Sequence, residues 1–587
     1  MDSTRALVLA LLVAVSMVAV PLSATAATGT PATGHDADGA AASPAFDVTV
    51  PGGDEPGTNV TDTDENVADT DEDENVTDTD GSDDPATNVT YVGEDDDPQT
   101  NATIGYVEGV SYDDELAVDE RDDATLEDDE LEAVVHRSMA RVEVIRELPF
   151  ERAVPVDVVD REAFQEHNRD TFGSLTEEER LLENVRYEAL FMVDRETDAL
   201  EEREALYGDA VGGYYNVSAN EIVLVSDDPE TLAVDEVLLA HELLHALQDQ
   251  HFDLGRYDRG TLDLANAKNG LIEGDAVWVE TEYEERCDEE WDCLFPSEGG
   301  HEGTAGGGLD EAPSTFNWGL YFTIYQPYSD GPDYVEYLLE EGGWDAVDAA
   351  YDEPPTSSAE VIRPGEVREP AAIELEDNSS DDWHRLTVEN ETPRTTFGEA
   401  AMVSMLAHGA LDRSADGSVV TLGDFVATDD DGYIETIEYD QPYTNGWAGD
   451  EFVVYVTDAT AIDKSGYVWQ TEWQTSADAE TFAAGYLELL AIHDASPVEE
   501  YRDTFVIDDR FPGAYYVDVD EETVTIVRAP SVDELSEIRA GAAPDGEDML
   551  NFEVHEIESG DEIPGFGVAA TLLALLALLV AAAAHRR

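Results

Sequence analysis

The sequence predicts an α+β protein with two folded units between non-globular ends. Its 587 residues exceed what one hydrophobic core usually supports. Apolar residues recur with helical spacing in some segments and alternate as in strands in others. We therefore expect a larger α+β unit at residues 124–370 and a smaller α+β unit at residues 371–530.

The first 26 residues have the pattern of a secretory signal peptide. An apolar run at residues 6–21 follows Arg5, and the small residues Ala24-Thr25-Ala26 supply a cleavage site for signal peptidase. The apolar run is shorter than the roughly 20 residues of a membrane-spanning helix, so a membrane anchor is the less favoured alternative. We expect the mature chain to begin near Ala27.

Residues 27–123 are rich in Asp, Thr, Gly, Glu and Asn. Low hydrophobicity and dense like charge predict a disordered, acidic stalk that cannot bury a core. Asn-X-Ser/Thr triplets are acceptors for N-glycosylation in an exported chain. The candidate acceptors in the stalk are Asn59, Asn75, Asn88 and Asn101, and those in the folded units are Asn216, Asn378 and Asn390.

Asp and Glu number 138 against 28 Lys and Arg, which gives a formal net charge of −110. Because 42% of the residues are hydrophobic, this acidity indicates a solvated surface on a folded protein, suited to salt that screens the repulsion. The chain has no basic stripe to neutralise phosphates, which excludes nucleic acid as a partner. Calcium binding by acidic loops such as residues 428–432 is a weaker alternative.

The larger unit should begin with helices and a short strand and continue into a β-hairpin. Asp228-Pro229-Glu230 then resembles a helix start and precedes a mostly apolar run that ends at Leu247. The predicted helices lie at residues 126–144, 161–167, 177–206, 315–325 and 334–339, and the predicted strands at residues 154–159, 214–217 and 221–225.

His241 and His245 are four residues apart on the apolar helix, so both imidazoles project from one face. Glu242 lies one residue round the helix and can reach a water held between them. Zinc binds two such imidazoles, keeps a position for water and acidifies that water. The pattern therefore predicts a zinc site with Glu242 as general base. The alternative is a pair of core histidines satisfied by buried carboxylates.

A third ligand is expected from a second helix around residues 266–276. Gly270 and Gly274 share a face with little bulk, which would let this helix approach the first one and bring Glu273 to the metal. Glu273 is therefore the predicted third ligand. Two nearby glutamates are alternatives, Glu280 and Glu282.

The segment His-Glu-Leu-Leu-His-Ala-Leu-Gln-Asp at residues 241–249 resembles the active-site helix of gluzincin metallopeptidases of the thermolysin type. Glu-Gly-Asp-Ala at residues 273–276 resembles the glutamate-bearing helix of related peptidase-like proteins. The resemblance implies a zincin-like fold, with Asp249 orienting His245 from behind and the strand around residues 212–215 aligning an extended peptide substrate. It leaves the group that stabilises the oxyanion open among Tyr321, Tyr325 and Arg363.

Cys287 and Cys293 enclose five residues, and an exported chain meets an oxidising environment, so we expect a local disulfide.

The smaller unit should follow with further helices and strands, and an acidic linker should occupy residues 531–563. Its predicted helices are residues 397–410 and 477–493, and its predicted strands are residues 452–456 and 467–473.

The last segment, residues 564–587, begins with Pro564-Gly565-Phe566, continues as an apolar stretch and ends in His585-Arg586-Arg587. One interpretation is a permanent transmembrane helix with its arginines inside the cell. The segment also resembles the PGF-type sorting signal of haloarchaeal surface proteins, which implies that an archaeosortase replaces the helix with a lipid. Both interpretations leave the folded units anchored outside the cell by the C-terminus.

Two functional hypotheses follow. The first is a cell-surface zinc metallopeptidase that hydrolyses a peptide or protein substrate with Glu242 as general base. The alternative is a catalytically silent surface or adhesion protein that retains a zincin-like fold.

Overall fold

The computed structural model describes residues 90–91, 103–121, 125–227, 232–295, 316–366, 368, 370–412, 415, 417–428, 434–457 and 461–550. The signal peptide, most of the stalk and the C-terminal sorting segment lie outside these residues. Within them the fold is mixed α+β.

The helices are α1 (Asp128–Arg146), α2 (Arg161–Gly173), α3 (Glu177–Ala189), α4 (Ala199–Ala210), α5 (Glu236–Phe252), α6 (Leu262–Glu289), α7 (Trp318–Gly342), α8 (Trp344–Asp352), α9 (Ser358–Ile362), α10 (Gly398–Ala407), α11 (Leu422–Phe425), α12 (Ser476–Ile492) and α13 (Val532–Ile538). Short 3-10 helices are Ala117–Glu120, Leu254–Arg256, His408–Ala410 and Ile462–Lys464. The strands are β1 (Thr90–Tyr91), β2 (Thr103–Ile104), β3 (Tyr106–Val107), β4 (Val110–Ser111), β5 (Val156–Asp160), β6 (Gly213–Asn216), β7 (Glu221–Ser226), β8 (His384–Arg385), β9 (Val426–Thr428), β10 (Ile434–Ile437), β11 (Trp447–Val456), β12 (Ser465–Trp473), β13 (Ser496–Pro497), β14 (Thr504–Ile507), β15 (Gly513–Asp520) and β16 (Thr523–Ala529).

Helices α1, α5 and α6 pack around one hydrophobic core beside a three-stranded sheet. The sheet has the order β5-β7-β6, with β5 parallel and β6 antiparallel to β7. The predicted hairpin is therefore present, and its first strand, β6, lies at the edge of the sheet next to α5.

Helix α5 begins at Glu236, later than the Asp228 start that the sequence indicates. The cap is Asp235, whose side chain accepts hydrogen bonds from the N–H groups of Val237 and Leu238 at 3.0 and 3.3 Å. Leu232 lies before the helix, and its carbonyl accepts from the Leu126 N–H at 2.9 Å. A side-chain cap can satisfy the first free N–H groups of a helix, so the local contact at Asp235 sets the start.

Two other helical predictions differ from the structure. The predicted helix at residues 177–206 is broken into α3 and α4, and the two predicted helices at residues 315–325 and 334–339 are parts of the single helix α7. Helix α7 continues through Pro327 and Pro332 because it is held along its length against α6. Tertiary packing outweighs the helix-breaking tendency of the two prolines.

The glycine face of α6 is turned towards α7, which corrects the predicted role of Gly270 and Gly274. A Cβ atom added to Gly274 would lie 2.3 Å from the carbonyl oxygen of Gly331 on α7, and one added to Gly270 would lie 2.7 Å from the side chain of Val361. The glycines therefore permit close approach on the side of α6 that contacts α7 and α9, while other residues of α6 face the histidine-bearing helix α5.

A seven-stranded antiparallel sheet with the order β13-β14-β15-β16-β12-β11-β8 forms the second half of the molecule. Side chains alternate between its faces, as a period of two requires. Phe452 and Val454 enter the core that includes α12, whereas Val453 and Tyr455 enter a smaller core beneath α13. Residues of α3 and α7 belong to the larger of these cores, so the two predicted units share one core across residue 370.

The folded part extends further at both ends than the sequence indicates. Strands β2 to β4 belong to the predicted stalk, but Ile104 and Val107 are buried there. Helix α13 belongs to the predicted linker, but Leu535 and Ile538 are buried against the sheet. Short apolar stretches in an acidic background carry weak periodic signals, and only their partners in the fold make them part of a core. Among the described residues, no helix has the length and hydropathy needed to cross a membrane.

Candidate metal centre

The two histidines lie on α5 in the middle of the first core. His241 and His245 are fully buried, and their Nε2 atoms are 3.1 Å apart. The helix fixes this arrangement because residues four apart lie above one another on the same face. Leu243, Leu244 and Leu247 on the same helix are buried in the surrounding core, which holds the helix in place.

Helix α6 brings the carboxylate of Glu273 to both imidazoles. Its Oε2 atom is 3.4 Å from Nε2 of His241 and 3.2 Å from Nε2 of His245. Nitrogen and oxygen ligands at about 2.1 Å from a tetrahedral metal ion lie about 3.4 Å from one another. The triangle formed by His241, His245 and Glu273 therefore has the size of one face of a metal coordination sphere.

The outer nitrogens of the imidazoles are held by two residues that fix the tautomers. Nδ1 of His241 lies 2.9 Å from Oε2 of Glu280, and Nδ1 of His245 lies 2.9 Å from Oε1 of Gln248. Gln248 donates through Nε2 to the carbonyl oxygen of Ile272 at 2.9 Å, so its Oε1 faces the imidazole as an acceptor. Each Nδ1 therefore donates its hydrogen, and in the neutral rings the Nε2 lone pairs point at the same place as the Glu273 carboxylate.

The two Nε2 lone pairs and the Glu273 carboxylate face one another, and a positive charge between them would stabilise this arrangement. Burial lowers the pKa of His241, but its hydrogen bonds to Glu273 and Glu280 outweigh burial and raise the pKa to about 10. Burial raises the pKa of Glu273, but the neighbouring His245 and His241 prevail and lower it to about 2. The same three groups that attract a proton are therefore suited to a divalent cation, which satisfies all of them at once.

Glu242 lies beside this triangle with its carboxylate uncommitted. Both carboxylate oxygens are buried and have no side-chain partner and no hydrogen bond of ordinary geometry among the described residues, although the backbone of Tyr215 on β6 lies near enough to lower the pKa slightly. Burial raises the pKa of Glu242 to about 7, against the attraction of His245 and His241. Gly213 on the edge strand β6 is its neighbour, since a Cβ built on that glycine would lie 3.8 Å from Cγ of Glu242. A buried carboxylate that keeps its lone pairs free can accept a proton from a bound molecule.

Asp249 does not perform the role that the sequence suggests for it. Its Oδ2 accepts from the hydroxyl of Tyr215 at 2.8 Å, and its Oδ1 accepts from the Leu254 N–H at 3.0 Å. Asp249 therefore joins the end of α5 to the edge strand, and Gln248 supports His245 instead. Helical spacing places both Gln248 and Asp249 on the side of α5 that carries His245, and the partners of Asp249 on β6 and after the helix leave the imidazole to Gln248.

The alternative third ligands have other partners. Glu280 supports His241 from behind and does not join the ligand triangle. Glu282 lies 3.8 Å from Arg286 in an ion pair near the surface of α6. Gln248 was not predicted, and the one signal that could have identified it is its spacing of three residues from His245, which is the spacing of helical neighbours.

The three residues considered for the oxyanion are occupied elsewhere. Tyr321 and Tyr325 stack on one another in the core that α7 shares with the large sheet. Arg363 forms ion pairs with Glu399 and Asp440. None of these contacts brings a donor to the ligand triangle.

A disulfide joins Cys287 near the end of α6 to Cys293. The next residue, Leu294, donates its N–H to Oε2 of Glu236 at 3.1 Å, and its carbonyl accepts from the Glu236 N–H at 3.0 Å. Glu236 is the first residue of α5, so this short loop connects the far end of the glutamate-bearing helix to the start of the histidine-bearing helix.

The candidate glycosylation residues differ in accessibility. Asn216 is buried, and its side-chain oxygen accepts hydrogen bonds from the N–H groups of Ser218 and Ala219. Glycosylation of Asn216 is therefore disfavoured, because the glycosyl-transferring enzyme could not reach its amide in the folded chain. Asn378 and Asn390 are exposed. The remaining glycosylation candidates lie outside the described residues, and they are Asn59, Asn75, Asn88 and Asn101. The Pro564-Gly565-Phe566 segment and the acidic loop after Thr428 also lie outside the described residues.

Comparison with known proteins assigns no activity. Residues 385–539, which cover most of the large sheet, match the domain of unknown function DUF8575. No curated protein and no solved structure matches the chain. The ligand triangle lies outside the matched residues.

Proposed function

We propose that this chain is a zinc metallopeptidase that hydrolyses peptide bonds with Glu242 as general base. The observation that carries the proposal is the meeting of His241, His245 and Glu273 at 3.1 to 3.4 Å beside the uncommitted carboxylate of Glu242. Two imidazoles and one carboxylate are the donor set of a catalytic zinc site that keeps a position for water.

The chemistry assigns one task to each group of residues. Zinc, when bound by His241, His245 and Glu273, supplies Lewis acidity that acidifies a water and polarises a carbonyl. Glu242 accepts the water proton while the water oxygen forms a bond to the carbonyl carbon and the carbonyl π electrons move to the carbonyl oxygen. Glu242 then gives the proton to the amide nitrogen, the electrons on the former carbonyl oxygen re-form the C=O bond, and the C–N bond breaks with its electron pair leaving on the nitrogen.

The edge strand supports an extended peptide as the substrate. Strand β6 is paired on one side only, to β7, within the described part of the chain, and its Gly213 lies next to Glu242. The free side of an edge strand can pair with the backbone of an extended segment, which would carry a peptide bond past Glu242. Such pairing would recognise the peptide backbone and not particular side chains.

The uncommitted state of Glu242 favours the enzyme over a catalytically silent surface protein. A protein that kept the metal only for stability would gain nothing from a buried carboxylate without a donor, because burying such a group costs free energy. The cellular location in this proposal is the outer surface, with the C-terminal segment at residues 564–587 as the anchor. The Cys287–Cys293 disulfide supports export, since disulfides persist in oxidising compartments.

The test compares Glu242→Gln with Glu282→Gln in protein folded in molar KCl. Glu242→Gln should retain zinc at one ion per chain and lose peptide hydrolysis by about 100- to 10,000-fold, because only the proton acceptor is removed. Glu282→Gln is the matched control on the surface of α6 and should hydrolyse as the unchanged protein does. Equal hydrolysis by Glu242→Gln and the unchanged protein would defeat the proposal, as would purified protein that binds no zinc.

A further inference from the structure

Arg259 lies on the connection between α5 and α6 and is held by two neutral acceptors. Its Nη1 donates to the carbonyl oxygen of Leu254 at 3.1 Å, and its Nε donates to Oδ1 of Asn269 at 3.1 Å. Other buried arginines of the same half, such as Arg137 and Arg146, are paired with carboxylates. Arg259 therefore carries a positive charge that these two hydrogen bonds do not neutralise, and no carboxylate of the described residues forms a direct ion pair with it.

The third nitrogen of this guanidinium, Nη2, differs from the other two in its hydrogen bonding. Nη2 of Arg259 is shielded from solvent and has no hydrogen-bond partner among the described residues. In a guanidinium, Nη2 and Nε lie on the same edge, so Nη2 faces α6 together with the bond to Asn269. Asn269 precedes Glu273 by four residues and therefore lies on the same face of α6 as this metal-ligand candidate.

The charges agree with this placement. Burial lowers the pKa of Arg259 to about 10, while the negative charge of Glu273 acts in the opposite direction. The guanidinium is thus charged at neutral pH and close enough to Glu273 for the two charges to interact. An arginine held in this way is a preorganised donor that needs no rearrangement when negative charge develops nearby.

We infer that Arg259 donates through Nη2 to the carbonyl oxygen of the peptide bond under attack, as that oxygen gains negative charge. The inference rests on the proposed function and supplies the oxyanion donor that Tyr321, Tyr325 and Arg363 do not provide. It makes Arg259 a catalytic residue, whereas Arg256 on the same connection is a surface residue whose guanidinium bonds to the carbonyl oxygen of Tyr351.

The experiment measures the binding of two zinc-directed probes to the full chain loaded with zinc in molar KCl. A peptide phosphonamidate mimics the tetrahedral oxyanion, and a mercaptoacyl dipeptide binds zinc through sulfur without such an oxygen. Arg259→Gln should weaken phosphonamidate binding by about 100-fold, the usual effect of removing one oxyanion donor, and change mercaptoacyl binding by less than about 3-fold. Arg256→Gln is the matched control and should bind both probes as the unchanged protein does.

Three results would overturn the inference in different ways. Unchanged phosphonamidate binding by Arg259→Gln would show that Nη2 does not reach the oxyanion. Loss of zinc from Arg259→Gln, with both probes weakened equally, would mean that the arginine only balances the charge of Glu273. Failure of the unchanged, zinc-incubated protein to bind either probe would defeat the proposed function itself, and the inference with it.

Discussion

Two buried carboxylates, one in each half of the molecule, have opposite surroundings. Asp450 in the large sheet accepts four hydrogen bonds, from the N–H groups of Phe397 and Gly398 at 2.9 and 3.0 Å and from the indoles of Trp447 and Trp469 at 3.2 and 3.1 Å. Glu242 at the metal centre is also buried, but among the described residues it accepts no hydrogen bond of ordinary geometry, and only the backbone of Tyr215 lies near it as a donor.

This difference distinguishes a carboxylate that stabilises the fold from one that can take part in a reaction. The donors around Asp450 compensate the cost of burying its charge and fix the start of α10 to the sheet. Glu242 lacks such a set of donors, so its burial costs stability and leaves its lone pairs available to a proton. Burial alone therefore does not identify a functional acid, but burial without donors next to a cation site does.

The largest expected effect comes from replacing each carboxylate by its isosteric amide. Asp450→Asn should lower the free energy of unfolding by about 3 to 5 kcal/mol, because the new NH₂ group faces two N–H donors that it cannot accept from. Glu242→Gln should change it by less than about 1 kcal/mol or increase it, because an uncharged amide costs less to bury than a carboxylate. Denaturant unfolding of both variants in molar KCl, with zinc removed by chelation, measures the contrast. Equal destabilisation by the two substitutions would remove the distinction between them.

The parts of the metal centre that could be predicted from the sequence are those fixed by local spacing. The separation of four residues puts His241 and His245 on one face whatever the rest of the fold does, and it puts Glu242 beside them. The helix that carries Glu273 could also be recognised, but the reason given for its approach was wrong. Gly270 and Gly274 contact α9 and α7, and the approach of α6 to α5 depends on larger side chains.

The supporting residues could not be predicted because they depend on how two helices are rotated against each other. Whether Gln248 or Asp249 faces His245 is a matter of one residue on α5, and whether Glu280 binds the metal or the imidazole depends on where α6 crosses α5. Arg259 was missed for the same reason. Its sequence neighbours are polar and give no periodic signal, and only the fold brings its guanidinium to the face of α6 that bears Glu273.

A smaller effect is expected behind the metal ligands, where Glu280 and Asp249 can be compared. Glu280→Gln should weaken zinc affinity by about 10- to 100-fold, because the amide no longer provides a negative charge to the His241 N–H. Asp249→Asn is the matched control and should leave the affinity within about 3-fold, since its partners are Tyr215 and Leu254. Chelator competition in molar KCl gives both affinities. A greater loss with Asp249→Asn than with Glu280→Gln would reverse the assignment of supporting residues.

The smallest expected effect is a pH dependence that belongs to the sheet half alone. His493 stacks on Phe191 with ring centroids 4.7 Å apart, and burial, with a contribution from the charge of His408, lowers its pKa from 6.5 to about 3. As the pH falls below 6.5, His493 takes up a proton in the unfolded chain but stays neutral in the folded chain. The free energy of unfolding therefore decreases as the pH falls.

His493→Phe should keep the stack and remove this proton. Relative to its own value above pH 7.5, the variant should therefore lose about 1 kcal/mol less stability at about pH 5.5 than the unchanged protein does. Measuring the free energy of unfolding of both proteins from about pH 7.5 to about pH 5.5, in the same molar KCl and with zinc removed, isolates this contribution from the protonation of the metal ligands, which both proteins share. Parallel pH profiles would mean that His493 can accept its proton within the fold, and that the sheet half tolerates charge at a position where its packing indicates that it should not.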